Sequence, residues 1–246
     1  MAPPPVRWND LRRFTQARVA LGRAGNGLPT EPHLAFQAAH AAARDAVHTG
    51  LDVAALQAAL DEAGIASLTV TSAAPDRRTY LMRPDLGRSL PTEQAARLPV
   101  VPGALLFVVC DGLSAIAVQR HAPPLLARVI PSLRTRGSMA PVVIATQARV
   151  ALGDAIGAAM QAEAVAVLIG ERPGLSAADS LGVYLTWQPR PGRTDAERNC
   201  ISNIRPDGLP LPAAADKLLW LIGAMRHLRL TGVTLKDEQP AALPAP

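Results

Sequence analysis

Short apolar runs alternate with helix-like segments through most of the chain. Each run is rich in Val, Ile and Leu, which is typical of a buried strand, and the segments between the runs carry apolar residues at helical spacing. Buried strands that alternate with helices predict an α/β fold, a mostly parallel sheet with helices on both faces. The predicted strands are residues 65–71, 105–110, 142–146, 165–169 and 183–187, and the predicted helices are residues 123–136, 152–161 and 213–230.

The N-terminal part of the chain lies outside this alternation and has helical periodicity. Asp52 is placed to cap a helix and Gly64 to end it. We interpret residues 1–64 as a helical N-terminal extension that packs on the sheet domain, residues 65–246, or on a partner. The helices predicted for this extension are residues 8–21, 32–47 and 53–63.

Two further segments lack a regular pattern and are predicted to be loops. Residues 80–88 are highly charged, and residues 188–212 are rich in Pro, Gly and Arg. The second segment contains a polar, unpatterned stretch at residues 199–204, with Cys200 in it. Clusters of this kind between periodic segments are typical of loops.

Composition narrows the class of protein. Apolar residues make up 49% of the 246 positions and aromatic residues only 3%, so the core has to be aliphatic. The net charge of +5 raises nucleic acid as a partner, but the basic residues are nearly all Arg and are spread along the chain. That distribution favours a solvated surface with ion pairs. We therefore expect no nucleic-acid partner.

Cysteine count and the longest apolar run bear on compartment. Cys110 and Cys200 are the only cysteines, which excludes a disulfide framework and a zinc finger. The run at residues 100–110 is interrupted by Pro102 and Gly103 and is too short to cross a bilayer. No signal peptide pattern is visible at the N-terminus. These features predict a cytoplasmic protein without a membrane partner.

Three strand ends supply the candidate site. Asp111, Val150 and Glu171 each follow a predicted strand, and ligands of open α/β sheets bind outside the carboxyl ends of strands. For Glu171, a ligand role and an ion pair with Arg172 or Arg198 are equally favoured. Asp111 is expected to lie on the same edge, with capping of the following helix as its favoured role.

Several familiar motifs of enzymes are missing. The glycines of residues 22–27 have the order G-x-x-G-x-G and follow a helical segment, whereas the dinucleotide fingerprint needs G-x-G-x-x-G after a strand. No Walker A motif and no Gly-x-Ser-x-Gly nucleophile elbow occurs. The five histidines have no Cys, Asp or Glu arranged to complete a metal ligand set, so no metal-binding residue is predicted.

Six segments spread over nearly the whole chain carry a family pattern: ARVALGRAG (17–25), AH with ARDAV (39–47), YLMRPDLGR (80–88), DGLS (111–114), GERPGL (170–175) and CISNI (200–204). Taken in this order, the sequence resembles the small (light) subunit of ethanolamine ammonia-lyase. That family belongs to an adenosylcobalamin-dependent carbon–nitrogen lyase, which converts ethanolamine to acetaldehyde and ammonia.

The resemblance implies a Rossmann-like domain behind a helical N-terminal part, and a hetero-oligomer. In the family, a TIM-barrel large subunit holds the substrate and performs the radical chemistry, and the small subunit completes the cobalamin site at their interface. The family's cofactor contacts fall on Val150, Glu171 and Cys200. The resemblance implies no catalytic residue in this chain. The absence of an Asp-x-His-x-x-Gly sequence fits base-on cobalamin, in which dimethylbenzimidazole stays on cobalt.

One departure from the family concerns localisation. Some members carry a long polar N-terminal segment that directs packaging into a bacterial microcompartment, whereas the matching region here begins by Trp8. We therefore expect cytoplasmic assembly rather than encapsulation.

Two alternative functions come from other classes of protein. One is a self-sufficient Rossmann-type enzyme that uses a nucleotide or S-adenosylmethionine, and the other is a basic nucleic-acid-binding module.

Overall fold

A six-stranded sheet organises the part of the chain that the structure, a computed structural model, describes, residues 8–239. The strands are β1 (Ser67–Thr71), β2 (Leu105–Cys110), β3 (Val142–Thr146), β4 (Ala164–Gly170), β5 (Leu181–Trp187) and β6 (Asn199–Ile204). Their order in the sheet is β1-β3-β2-β4-β5-β6. The first four strands of this order are parallel, and β5 and β6 are added as antiparallel neighbours. The predicted mostly parallel α/β sheet is confirmed.

Helices cover both faces of the sheet, as the sequence predicts. The α-helices are α1 (Thr30–His48), α2 (Val53–Glu62), α3 (Arg77–Met82), α4 (Thr92–Ala95), α5 (Ala115–Arg134), α6 (Leu152–Ala159) and α7 (Leu211–Leu228). On one face, α2, α5 and α7 pack against Leu105, Phe107 and Val109. On the other face, α6 packs against Leu106 and Val108. Because both faces are covered, every residue of β2 and β4 is buried, which explains their continuous apolar runs.

Helix starts follow local capping chemistry where the sequence supplies it. The Ala55 N–H donates to Asp52 Oδ1 at 2.9 Å, so the predicted cap of α2 is confirmed. The start predicted for the fifth helix, at Pro123, is wrong because α5 begins at Ala115. Because proline is common in the first turn of a helix, Pro123 is interpreted as the start of this helix, eight residues too late. Buried side chains on both sides of Pro123 hold the helix against the sheet through the proline positions.

Three predicted segments differ from the structure. The helix predicted at residues 8–21 is wrong beyond Arg13, because only a 3-10 turn, Trp8–Arg13, forms and the following chain is irregular. The loop predicted at residues 80–88 is wrong in part, since α3 runs through Met82. The loop predicted at residues 188–212 contains β6, which pairs with β5. The residues before 8 and after 239 lie outside the described chain, and the division at residue 64 stays a prediction.

The topology opens a crevice at one edge of the sheet. The connection from β2 enters α5 on one face, and the connection from its neighbour β3 enters α6 on the opposite face. Adjacent parallel strands whose connections diverge in this way leave a crevice at their carboxyl ends, where α/β proteins bind ligands. The end of β4, on the other side of β2, borders the same edge.

Candidate functional site

A cavity of about 960 Å³, partly open to solvent, fills this crevice. Its walls are the turn after β2, the turn after β3 that carries Val150, the end of β4 that carries Glu171, and residues 191–195 of the loop after β5. Tyr80 and Tyr184 supply aromatic surface. The volume lies at the upper end of the range for small-molecule pockets. Two of the three predicted contact residues, Val150 and Glu171, therefore line one pocket.

Glu171 is held by neutral donors. Ser202 Oγ donates to Glu171 Oε1 at 2.6 Å, the Asn203 N–H donates to Oε2 at 3.1 Å, and Ser180 Oγ donates to Oε2. Within residues 8–239, no arginine pairs with this carboxylate, so the predicted alternative of an ion pair with Arg172 or Arg198 is wrong. Since a carboxylate offers about four acceptor positions, Glu171 keeps capacity for one more donor.

The backbone around Glu171 is shaped by close packing. Gly182 lies on β5, and a Cβ there would stand 2.9 Å from Glu171 Oε1, so the carboxylate packs directly against the glycine backbone. Gly112 has a φ of +57°, and a Cβ there would lie 2.3 Å from Gly170 O. The Leu113 N–H donates to the same carbonyl at 2.9 Å. These contacts fix the end of β4 against the turn after β2.

Asp111 fixes the turn that carries Val150. Its carboxylate accepts N–H groups of Gln147 and Ala148, both at 2.9 Å, and Arg77 Nη1 lies 3.2 Å away. Burial raises the pKa of Asp111, and these N–H groups and Arg77 oppose that rise. Asp111 lies on the predicted edge, but its expected role as a helix cap is wrong, because Ser114 caps α5.

Cys200 lies beside the pocket. It belongs to β6, so its expected place in a loop is wrong, and it pairs with Tyr184 of β5. Tyr184 lines the pocket, whereas Cys200 is an exposed residue outside the lining. Loss of solvent around the thiol raises the pKa of Cys200, the hydrogen bond with the Tyr184 side chain opposes this rise, and the charge of Glu171 adds to it. Burial also raises the pKa of Tyr184, with Cys200 as a smaller cause.

A buried ion pair, which sequence reasoning missed, holds the loop after β5. Arg198 donates to both oxygens of Asp154 at 2.7 and 2.6 Å, and its Nη1 donates to Thr186 Oγ1 at 2.9 Å. Its Nη2 donates to the Arg193 carbonyl at 3.0 Å. The pair joins α6 to the pocket wall. No sequence signal links Asp154 to Arg198, because 44 residues separate them.

The pocket is basic overall, and this too was missed. Two acidic residues line it, Glu171 and Asp195, against five arginines: Arg88, Arg149, Arg172, Arg193 and Arg198. Within residues 8–239, no group of three or more His, Cys, Asp or Glu is arranged to hold a metal ion. Over the same range, no helix has the length and apolar character needed to span a membrane.

Comparison with known proteins gives the family. Residues 5–236 match the model of the family described as ethanolamine ammonia-lyase light chain (EutC). Relatives named ethanolamine ammonia-lyase small subunit include one from Ralstonia nicotianae, 55% identical over 243 residues, which cover 96% of this chain and 90% of the relative. The relative from Azotobacter vinelandii is 55% identical over 242 residues, with the same coverage. One from Pseudomonas fluorescens is 52% identical over 249 residues, covering 97% and 91%. This chain belongs to the ethanolamine ammonia-lyase light chain family.

Proposed function

We propose that this chain is the small subunit of an adenosylcobalamin-dependent ethanolamine ammonia-lyase. In this proposal it completes a base-on cobalamin site at its interface with a catalytic TIM-barrel large subunit. The observation that carries the proposal is the crevice at the sheet edge, where Val150 and Glu171 line one open pocket. Family membership supplies the reaction, and the pocket supplies a place for part of the cofactor.

The residues of the pocket fit cobalamin in size and in chemistry. Cobalamin is larger than most small ligands and carries amide side chains, ribose hydroxyls and a phosphodiester. A cavity of about 960 Å³ with an open side accommodates part of it and leaves the rest to a second surface. The lining mixes an apolar side chain at Val150, a carboxylate with spare acceptor capacity at Glu171, and arginines.

Each of the three contact residues has a distinct role in the proposal. Glu171 accepts a hydrogen bond from an amide or a hydroxyl of the cofactor, and Val150 presents its methyl groups. Cys200 offers a small polarisable side chain next to Tyr184. Adenosylcobalamin supplies the radical chemistry when it is bound, and this chain binds and orients it without contributing a catalytic residue.

The N-terminal region is the surface that we assign to the large subunit. Helix α1 has 19 residues, and Ala46 is the one among them that is buried. Phe14 is 77% exposed and Leu34 57% exposed, and Leu28 and Phe36 are exposed as well. A 19-residue helix that buries a single residue on its own chain is typical of an element that packs on a partner.

The N-terminal region contacts segments that lie next to the pocket. Arg18 Nη2 donates to the carbonyl of Leu175, which follows Glu171 in the same loop, at 3.2 Å. Gln16 Oε1 accepts from Arg205 Nη2 at 2.7 Å, close to the strand that supplies donors to Glu171. A partner that covers the open side of the pocket would therefore also reach the N-terminal region.

Reconstitution tests the division of labour. This chain, the large subunit and their mixture are each assayed for ethanolamine deamination with adenosylcobalamin. We expect activity in the mixture and little from this chain alone. Full activity of the isolated chain would contradict the proposal. Tight binding of NAD or S-adenosylmethionine by this chain would favour the self-sufficient enzyme instead.

A substitution at Glu171 tests the assignment of the site. Glu171→Gln keeps the size of the side chain, but removes the charge and one acceptor oxygen. We expect it to weaken cobalamin binding by the assembled complex more than it lowers the free energy of unfolding. Glu93→Gln, on the exposed helix α4, is the matched control. Equal cobalamin affinity in the Glu171 variant and the wild type would remove Glu171 from the site.

A further inference from the structure

Two of the five pocket arginines already have partners within the described chain. Arg198 is paired with Asp154, and Arg193 is paired with Glu197. Asp195, one of the two acids of the lining, has its Oδ1 3.5 Å from Arg198 Nε. Glu171, the other acid, receives only neutral donors. The charges of the remaining arginines, Arg88, Arg149 and Arg172, are therefore not neutralised by the described lining.

Arg149 is the most unusual of the three. It is half-buried, and its guanidinium carbon stands 4.7 Å from the centre of the Tyr80 ring. Its Nη2 donates to the Tyr80 carbonyl at 3.3 Å, and its buried Nε has no hydrogen-bond partner in the described chain. A buried guanidinium nitrogen without an acceptor is rare in folded proteins. A ligand in the pocket would reach Arg149 through Nη1, which has no hydrogen-bond partner in the described chain, and not through the buried Nε.

Arg88 and Arg172 extend the positive charge on either side. The backbone N–H of Arg149 donates to the backbone carbonyl of Gly87 at 2.9 Å. Arg88, the residue after Gly87, therefore lies beside Arg149 in space. Arg172 is exposed and directly follows Glu171 at the end of β4. No carboxylate within residues 8–239 forms an ion pair with the side chain of either residue. Arg88 and Arg149 thus approach the pocket from the β3 side, and Arg172 approaches it from the β4 side.

We propose that Arg88, Arg149 and Arg172 form an anion subsite of the pocket that binds a phosphate group. Resting on the proposed function, the inference assigns this subsite to the phosphodiester of the cobalamin nucleotide tail. A guanidinium offers paired N–H donors that match two phosphate oxygens, and its charge persists at every physiological pH. The same charges repel a protonated amine, so the pocket selects against ethanolamine, a cation at neutral pH.

A pair of corrinoids that differ only in the phosphate tests the subsite. Adenosylcobinamide and adenosylcobinamide phosphate both lack the nucleotide base, and the second carries one phosphate group. Their affinities are measured spectroscopically on the assembled complex made with wild type, Arg88→Gln or Arg172→Gln. Arg128→Gln, which removes an equal charge from an exposed site on α5 outside the lining, controls for long-range electrostatics.

We expect the wild type to bind the phosphate-bearing corrinoid roughly tenfold more tightly, the order of one charge-assisted hydrogen bond. Arg88→Gln and Arg172→Gln lower the affinity for adenosylcobinamide phosphate more than that for adenosylcobinamide and so reduce this preference, while Arg128→Gln keeps it. Equal wild-type affinities for the two corrinoids overturn the subsite, as does a preference that both pocket variants retain. Inorganic phosphate is added as a competitor. It lowers the affinity for the phosphate-bearing corrinoid alone if the subsite also accepts free phosphate.

Failure of the proposed function gives a different pattern. If adenosylcobalamin itself does not bind to the complex, the proposed cofactor is wrong, and the assignment of the subsite falls with it. If adenosylcobalamin binds and neither truncated corrinoid does, the affinity for adenosylcobalamin is compared between the wild type and the pocket variants. Arg88→Gln and Arg172→Gln then weaken adenosylcobalamin binding and flatten its dependence on salt. Unchanged affinity and salt dependence in both variants overturn the subsite while leaving the proposed function intact.

Discussion

The central strands and the N-terminal helix both carry apolar side chains, but cover them differently. Every residue of β2 and β4 is buried between helices on the two faces of the sheet. Helix α1 has one buried residue among 19 and exposes Leu34 and Phe36. The sheet therefore contains its own core, whereas the N-terminal region exposes apolar side chains, which we propose the large subunit covers. The pocket lies at the edge of the sheet and is open on one side.

The largest expected effect compares the same substitution in the two regions. Phe107, in β2, is fully buried, and Phe36, in α1, is 38% exposed. Phe107→Ala should lower the free energy of unfolding of the full chain by about 3–5 kcal/mol, because it leaves a cavity in the core. Phe36→Ala should change it by less than about 0.5 kcal/mol. Urea unfolding measures both, and equal losses would abolish the contrast between the regions.

For binding to the large subunit, we expect substitutions in α1 to have the larger effect. Leu34→Asp and Phe36→Asp each place a charge at an exposed position of α1, so they should weaken binding to the large subunit by at least about tenfold while leaving the fold intact. Leu228→Asp is the matched control, because Leu228 is 52% exposed at the end of α7. Binding is measured by titration of the two subunits. If the α1 variants bind as tightly as Leu228→Asp, the partner surface lies elsewhere.

The smallest expected effect concerns the pocket loop. The Thr194 N–H and the Arg193 guanidinium lower the pKa of Glu197 from 4.5 to about 2. A carboxyl whose pKa is lower in the folded state stabilises the fold above its unfolded pKa, and this contribution disappears as pH falls from 4.5 toward 2. The stability difference between wild type and Glu197→Gln should therefore shrink over this range. Urea midpoints measured across it check the sign, and a constant difference would show that Glu197 does not hold the loop through its charge.

Sequence patterns predicted the elements that are buried on both faces. The runs at residues 105–110 and 165–169 become β2 and β4 with nearly the same limits, because a covered strand has to be apolar throughout. Strand β6 escaped prediction because it lies at the edge of the sheet, where only Ile201 and Ile204 are buried. Its polar residues face solvent or donate hydrogen bonds to Glu171, so the sequence of β6 lacks the alternation of apolar and polar residues that predicts a strand.

The site was predictable in position but not in its partners. Glu171 follows a buried strand, so its place at the sheet edge follows from general rules for α/β folds. Its donors Ser180 and Ser202 are 9 and 31 residues away, and come close only through the antiparallel pairing of β4, β5 and β6. The pairing of Asp154 with Arg198 likewise depends on tertiary structure, which local spacing does not encode.

The central claim, that this pocket holds part of the cofactor, is tested most directly by a substitution that fills the pocket. Val150 is a half-buried lining residue, and Val100 is 57% exposed outside the lining. The measurement is adenosylcobalamin affinity of the complex with the large subunit, made with wild type, Val150→Trp or Val100→Trp. Because indole would occupy the crevice, we predict that Val150→Trp weakens binding by at least about tenfold and that Val100→Trp binds like wild type. Wild-type affinity in the Val150→Trp complex would contradict the claim that this pocket holds the cofactor.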